Sequence, residues 1–358
     1  MPRLATRPGD LVLVTGATGR IGANLIRALV TRGYRVRGIS LPGDPAVAKL
    51  RGMDVDLVSA DLRDAAAVAD ACRGVDAICH LAALMGPDAG EMPVTDYWHL
   101  NIDATLHVLE GARLNGSLAK LVFASTDATY PPGNARYSPL DENHPQDPVN
   151  LYGLTKLVGE RMCLDYLTEF EVPTAIVRYG GVGSPDERAT GRPYQLKTLI
   201  QRCRDAKVSH NNYLWINVRH LERPWELFEP LLADGGPDQL IALTDTEGRP
   251  WQAHPTDVRD VVQGTLLALE SEAAVGQAFN ILGPSPVSSV EAARHLSDRL
   301  NLPWRTHAVP FRQAYEMSTS KARLVLGYRP AIDFFRAVDD GLAMLRGEDV
   351  GVIPAKLP

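Results

Sequence analysis

The sequence predicts an α/β fold, a doubly wound parallel sheet joined to a smaller, partly irregular C-terminal lobe. Three observations carry this. Strand-sized apolar runs alternate with helical stretches from Leu11 to Tyr179, and helices of roughly 10 to 20 residues between strands impose right-handed crossovers and parallel pairing. The runs are near-continuously apolar, as strands covered on both faces must be. A glycine-rich turn separates the first run from the first helical stretch.

The elements follow in order. Leu11–Thr15 is a continuous apolar strand, and Ile21 to Arg32 is a helix with Ile21, Leu25, Ile26 and Leu29 at helical spacing. Strands are predicted at Tyr34–Ser40, Val55–Ser59, Asp76–His80, Lys120–Ser125 and Thr174–Tyr179. Helices are predicted at Asp64–Cys72, Thr95–Asn115 and Asn150–Phe170. After Gly180, glycine, proline and aromatic residues cluster between 183 and 255; the strand–helix rhythm then returns at Leu240–Thr244, Asp257–Glu270, Ala278–Leu282 and Ser289–Leu300. This divides the 358 residues into a dinucleotide-binding unit over 1–180, a substrate lobe over 181–346 interleaved with the last sheet strands, and a loosely held tail over 347–358.

Composition narrows the function classes. Apolar residues make up 45% and charged residues 22%, as in globular proteins. The net charge of −6 gives no broad footprint for nucleic acid. No apolar run approaches the ~18 residues that span a bilayer, and Met1–Asp10 lacks the apolar stretch of a leader. A cytoplasmic protein with no membrane or nucleic-acid partner is expected. Cys72, Cys79, Cys163 and Cys203 have no Cys-x-x-Cys spacing, so reduced thiols are expected. The nine histidines form no metal-ligand pair, and no metal is expected.

The turn reads Thr15-Gly16-Ala17-Thr18-Gly19-Arg20-Ile21-Gly22. Glycines there permit a tight turn and let backbone approach a pyrophosphate, which the helix N-terminus attracts. The second strand ends at Ser40, which offers neither the carboxylate that reads an NAD ribose nor a base for the NADP phosphate. The cofactor is thus NAD or NADP, with Arg20 and Arg37 as candidate phosphate partners.

Tyr152 and Lys156 stand four apart on one helical face. An ammonium near a phenol favours the phenolate, which can exchange a proton with a substrate oxygen while hydride moves on a nicotinamide. Ser125-Thr126-Asp127 ends the fifth strand at the carboxyl edge, where a hydroxyl can hold that oxygen.

Taken together these motifs resemble the extended short-chain dehydrogenase/reductases of the NAD-dependent epimerase/dehydratase type, with a Rossmann-type fold. The resemblance rests on Thr15 to Gly22, Asp61-Leu62, His80-Leu81-Ala82-Ala83, Asn101, Ser125-Thr126-Asp127, Tyr152 to Lys156 and Ile176-Val177-Arg178. It continues through His254 to Val261 and Ser320 to Pro330. It implies that Gly16, Gly19, Arg20, Ile21 and Gly22 carry the pyrophosphate, that Asp61 and Leu62 border the adenine, and that Leu81, Ala82 and Ala83 line the nicotinamide side. It further implies that Lys156 binds the ribose and tunes Tyr152, that Thr126 is the catalytic hydroxyl, and that Asn101 supports the site. Ser40 completes the cofactor candidates; Met85, Thr126, Tyr179 and Gly181 are the substrate candidates. Asp127 is either an acid or a turn residue.

The sequence also departs from the family. The sugar-nucleotide 4,6-dehydratases need Asp-Glu after the hydroxyl; here Ala128 replaces the Glu, so 4,6-dehydration is disfavoured. Gly180 and Gly181 stand where an Asn usually holds a substrate diphosphate, and Pro250 where an Arg is usual. A small-molecule substrate is expected: a sugar, sugar acid or sugar nucleotide, acted on by an oxidoreductase or epimerase. The alternative is a catalytically silent cofactor-binding scaffold. Apolar residues beyond one face of the 95–115 and 150–170 helices predict a homodimer through that pair.

Overall fold

Leu11–Thr15 carries four fully buried residues in five, so it can only be a strand inside the sheet. The computed structural model describes residues 4–85, 93–131, 135–205, 218, 221–314 and 316–356. In its first half β1 (Leu11–Thr15), α1 (Arg20–Thr31), β2 (Arg35–Ser40), β3 (Asp56–Ser59), α2 (Ala65–Ala71), β4 (Ala77–His80), α3 (Val94–Trp98), α4 (Ala104–Asn115), β5 (Lys120–Thr126), α5 (Leu151–Phe170) and β6 (Thr174–Tyr179) alternate. The second half holds β7 (Val182–Gly183), α6 (Pro185–Arg188), α7 (Leu196–Asp205), β8 (Leu240–Thr244), β9 (Gln252–Ala253), β10 (Thr256–Asp257), α8 (Val258–Glu270), β11 (Ala278–Ile281), β12 (Val287–Ser288), α9 (Ser289–Leu300), β13 (Trp304–Ala308) and α10 (Phe334–Leu345).

Seven strands form one sheet in the order β11-β6-β5-β4-β1-β2-β3, and every pairing in it is parallel. The order turns back at β1, where the crevice of a doubly wound sheet opens. Every residue of β5 and β6 is buried, as strands covered on both faces require. Two apolar layers flank the sheet, one built on Leu25, Ile26 and Leu29 and the other on Val68, Val108 and Leu109. All four cysteines are buried free thiols.

Helix starts follow the side chains that can satisfy open amides. Asp64 accepts from Ala66 and Ala67 N–H, Asn150 from Gly153 N–H at 2.7 Å, and Asp257 from Arg259 N–H at 2.9 Å. The predicted helix over 95–115 is interrupted by a π turn at His99–Asp103. Such a turn re-aims one side chain within an otherwise regular helix; here that side chain is Asn101.

Several second-half elements escaped the sequence reading, among them α7, β13 and α10. β13 is half exposed and carries Arg305 and His307, so it shows no apolar run, yet it pairs in parallel with β8. α10 packs Phe334 and Val338 against the lobe's core. Of the segment 207–237, whose role the sequence leaves open, residues 207–217, 219 and 220 lie outside the described residues. The tail, expected to be loose, is fastened. Asn24 accepts from Ile353 N–H at 2.8 Å and donates to Ile353 O at 3.0 Å. Lys49 Nζ donates to Ala355 O at 2.6 Å and to Thr18 O at 3.0 Å. A primary amide can satisfy both polar groups of one backbone residue, and that pairing holds the tail across α1.

Candidate active site

The site starts where β1 ends. Gly16 has φ +66°, a left-handed conformation that favours glycine. A Cβ on Gly22 would stand 2.0 Å from Gly16 O, so only glycine lets α1 start this close to the turn. The first turn of α1 has no side-chain cap and no acidic residue, leaving its amides and positive dipole end open. Arg20 Nε is buried without a hydrogen-bond partner. Uncapped amides with an unsatisfied guanidinium N–H beside them fit a pyrophosphate. Elsewhere on the Arg20 guanidinium, Nη2 donates to Glu187 Oε1 at 2.5 Å and Nη1 to Val182 O at 3.4 Å.

From this turn a chain of buried hydrogen bonds runs to the tyrosine helix. Thr15 Oγ1 accepts from Leu81 N–H and Ala82 N–H, both at 3.1 Å. With its lone pairs used, its proton goes to His80 Nδ1 at 2.8 Å. His80 Nε2–H then donates to Thr105 Oγ1 at 3.0 Å, and Thr105 donates to Asn101 O at 2.6 Å. The Asn101 amide accepts from Leu84 N–H at 2.8 Å and donates to Leu84 O and to Thr155 Oγ1, both at 3.0 Å. Thr155 donates to Tyr152 O at 2.8 Å. Burial pushes His80 down to about 3, with Lys156 adding to the shift, so the ring is neutral. Asn101, expected among the cofactor residues, is thus fully engaged by protein and braces the loop that carries Leu81, Ala82 and Ala83.

Thr126, Asp127 and Tyr152 form one group at the carboxyl end of β5. Thr126 opposes the upward shift of the Tyr152 phenol's pKa, and it donates to Asp127 Oδ1 at 3.0 Å. Thr126 also accepts from Ala128 N–H at 3.2 Å, capping a short 3-10 turn. α5 reaches this group because residue 153 is glycine: a Cβ there would sit 2.1 Å from Ala128 O. Burial first, and then the charge of Asp127, pushes the Tyr152 phenol above its ordinary value. Lys156 is buried with Nζ 4.1 Å from the Phe123 ring centroid, and burial lowers it to about 8. Ser125, the neighbouring hydroxyl, is committed elsewhere. It donates to Glu160 Oε1 at 2.5 Å, and Glu160 also receives Arg178 at 2.9 and 2.7 Å.

Ser40 is buried at the end of β2. Asp61 is paired with Arg63 at 2.6 Å, and Leu62 O accepts from His107 Nδ1–H at 2.8 Å. Met85 is exposed. Gly181 lines a cleft of 640 Å³ that opens beside Asp127 and is walled by second-lobe residues. Tyr179 corrects the reading: expected at the substrate, it is buried with its hydroxyl 2.6 Å from Thr265 Oγ1 on α8. Strand alternation and the packing of α8 turn it into the core. The sequence reading missed Arg188, Tyr194 and Arg202, which line the cleft. They come from three separate elements and form no motif. Among the described residues no cluster of metal-ligating side chains occurs, and no helix is long and apolar enough to cross a membrane.

Residues 12–281 match the NAD dependent epimerase/dehydratase family. The chain is 34% identical to UDP-glucose 4-epimerase 2 of Oryza sativa subsp. japonica over 188 residues, 49% of this chain and 45% of that protein. It is also 34% identical to the probable UDP-arabinose 4-epimerase 3 of Arabidopsis thaliana, over 50% of this chain and 46% of that one. The chain thus spans about half the length of the curated relatives it matches. Among solved structures, it is similar to a short-chain dehydrogenase/reductase superfamily protein from Agrobacterium tumefaciens with bound NAD: TM-score 0.80, 28% identity, 94% of this chain and 97% of that one. The fold is shared with UDP-glucuronic acid 4-epimerase from Bacillus cereus, at TM-score 0.68, 23% identity, and 94% and 99% coverage. The family is NAD-dependent, which resolves towards NAD the choice that Ser40 leaves even. With the glycine turn, the parallel sheet and the Tyr152–Lys156 helix in place, this chain belongs to the NAD-dependent epimerase/dehydratase family.

Proposed function

We propose that the protein is an NAD-dependent oxidoreductase or epimerase that acts on a hydroxyl or keto group of a sugar-type substrate. The observation that carries this is the grouping of Thr126, Asp127 and Tyr152, all buried, at the carboxyl edge of the sheet, with Lys156 one turn along α5. Tyr152 takes the proton of the substrate hydroxyl during oxidation and returns it during reduction. Thr126 holds the same oxygen. Lys156 presents an ammonium near neutral pH and steadies the negative charge that Tyr152 acquires. NAD, when bound, supplies the hydride acceptor, and the open amides of α1 with Arg20 Nε would hold its pyrophosphate. Ala128 offers only a methyl where 4,6-dehydration needs a base. A silent scaffold would gain nothing from burying the Lys156 ammonium, which is unfavourable without a function to serve. The names of the relatives, UDP-glucose and UDP-arabinose 4-epimerases, favour the epimerase branch.

We also infer a homodimer through the α4–α5 pair. Val108 and Leu109 belong to the core, but Leu106, Leu114, Leu154 and Phe170 are exposed large apolar side chains on these two helices, and a matching face on a second copy would cover them.

Three outcomes test these assignments. Tyr152→Phe should retain fold and NAD binding and lose about 100-fold or more in turnover; near-normal turnover would reject Tyr152 as the base. Asp127→Asn removes a charge that raises the Tyr152 pKa, so the limb of the oxidation rate that rises with pH should move to lower pH. An unmoved limb would mean that Asp127 does not govern Tyr152. Light scattering should give twice 39.0 kDa for the wild type, and Leu106→Glu should return it to the mass of one chain.

A further inference from the structure

The glycine turn is held from outside by the short 3-10 helix that follows β2. Asp44 caps this helix, Pro45–Leu50, by accepting from Ala46 N–H at 2.9 Å. Leu50 seats it in the apolar layer built on Leu25 and Ile26. From that base two side chains reach Thr18, which lies between Gly16 and Gly19. Asp44 Oδ2 accepts from Thr18 Oγ1 at 2.6 Å, and Lys49 Nζ donates to Thr18 O at 3.0 Å. The hydroxyl and the carbonyl of one turn residue are thus both fixed by one neighbouring segment.

Lys49 is itself fixed by the tail. Its Nζ donates to Ala355 O at 2.6 Å. Ala355 N–H in turn donates to the Asp186 carboxylate, with both oxygens at 3.2 Å. Asp186 stands on α6 in the second lobe. Asn24 holds Ile353, two residues earlier, through its N–H and its carbonyl at 2.8 and 3.0 Å, and Arg27 donates to Gly351 O. A line of contacts therefore runs from the second lobe through the tail to the Lys49 ammonium, and from there to the glycine turn.

We infer that Lys49 is a positioning residue for NAD: it holds the glycine turn in the shape that presents open amides to the pyrophosphate, and the tail serves the same end by holding Lys49. Glycines leave a turn many conformations, and fixing one of them opposes binding. A turn already fixed before the cofactor arrives avoids that loss. Hydrogen bonds from an ammonium are charge-assisted and stronger than neutral ones, so two of them suit Lys49 to the task. This inference rests on the proposed reading of the α1 amides as the pyrophosphate site. It adds a residue, and a segment of tail, that act on NAD only through the turn.

The test loads each protein with NAD or with NADP, removes the excess by gel filtration and follows release of the nucleotide, at a temperature where circular dichroism shows every variant folded. Lys49→Met keeps the apolar stem and removes the donors, so NAD should leave about fivefold faster or more. Lys49→Arg, whose guanidinium can donate to both carbonyls, should recover most of the retention. Ala355→Pro deletes the N–H that Asp186 binds and should also speed release. The variant combining Lys49→Met with Ala355→Pro should release NAD no faster than Lys49→Met alone, because the tail acts through the ammonium. Wild-type release in Lys49→Met or in Ala355→Pro would overturn the inference, as would losses that multiply in the combined variant. A loss confined to NADP would also overturn it, by making Lys49 a reader of the 2′-phosphate. A wild type that takes up no NAD would refute the pyrophosphate reading itself, and this inference with it.

Discussion

The arrangement of this site depends on one neutral imidazole. His80 joins the nucleotide turn to the tyrosine helix: it accepts from Thr15 on β1 and donates to Thr105 on α4. Each of those hydroxyls is itself bonded onward, to Leu81 and Ala82 amides on one side and to Asn101 O on the other. Every donor in the chain meets an acceptor only if His80 carries its proton on Nε2. A second proton on Nδ1 would face an oxygen whose lone pairs are already used. An unsatisfied buried polar group costs about 1 to 3 kcal/mol, and a buried charge costs more. The direction of the chain is therefore fixed by accounting for protons.

That constraint propagates. The π turn exists where Asn101 must reach both Leu84 and Thr155. Thr155 lies on α5 between Tyr152 and Lys156, so the brace and the chemistry share one helix. On its other side α5 touches the 3-10 turn after β5, and Gly153 allows that approach. The glycine turn, the β4 loop and the Tyr152–Lys156 pair are thus positioned against one another by side chains rather than by loops alone. Networks of this kind stiffen a site when fully satisfied.

Much of the fold was legible in the sequence because parallel strands announce themselves by unbroken apolar runs. β1, β6, β8 and α9 have the bounds the sequence suggested. β13 was not legible, since its half-exposed surface mixes Arg305 and His307 with smaller residues. The fastening of the tail was hidden too, because it depends on one amide, Asn24, meeting one backbone residue 329 positions away. In the site, the spacing of Tyr152 and Lys156 and the run ending at Thr126 pointed to residues that the fold brings together. Tyr179 misled because a residue at a strand end can face either layer, and only the position of α8 decides which. The sequence also suggested that Lys156 would lower the Tyr152 pKa, whereas in the protein alone burial and Asp127 raise it. Arg188 and Arg202 were not legible because residues that line one cleft from α6 and α7 leave no periodic trace.

The two halves of the molecule meet at the site with different chemistry. The sheet's carboxyl edge gathers the Thr126 hydroxyl, the Tyr152 phenol and the Lys156 ammonium, and second-lobe residues wall the cleft that opens beside Asp127. Both rest on the Thr15–His80–Thr105–Asn101 brace, and its protonation can be read directly. Imidazole nitrogen NMR of the histidine-labelled protein, with His80 assigned by comparison with His80→Phe, should show a neutral Nε2–H ring that does not titrate between about pH 5 and 8, because burial holds it near 3. A ring that titrates near the ordinary ~6.5, or one protonated on Nδ1, would contradict the account.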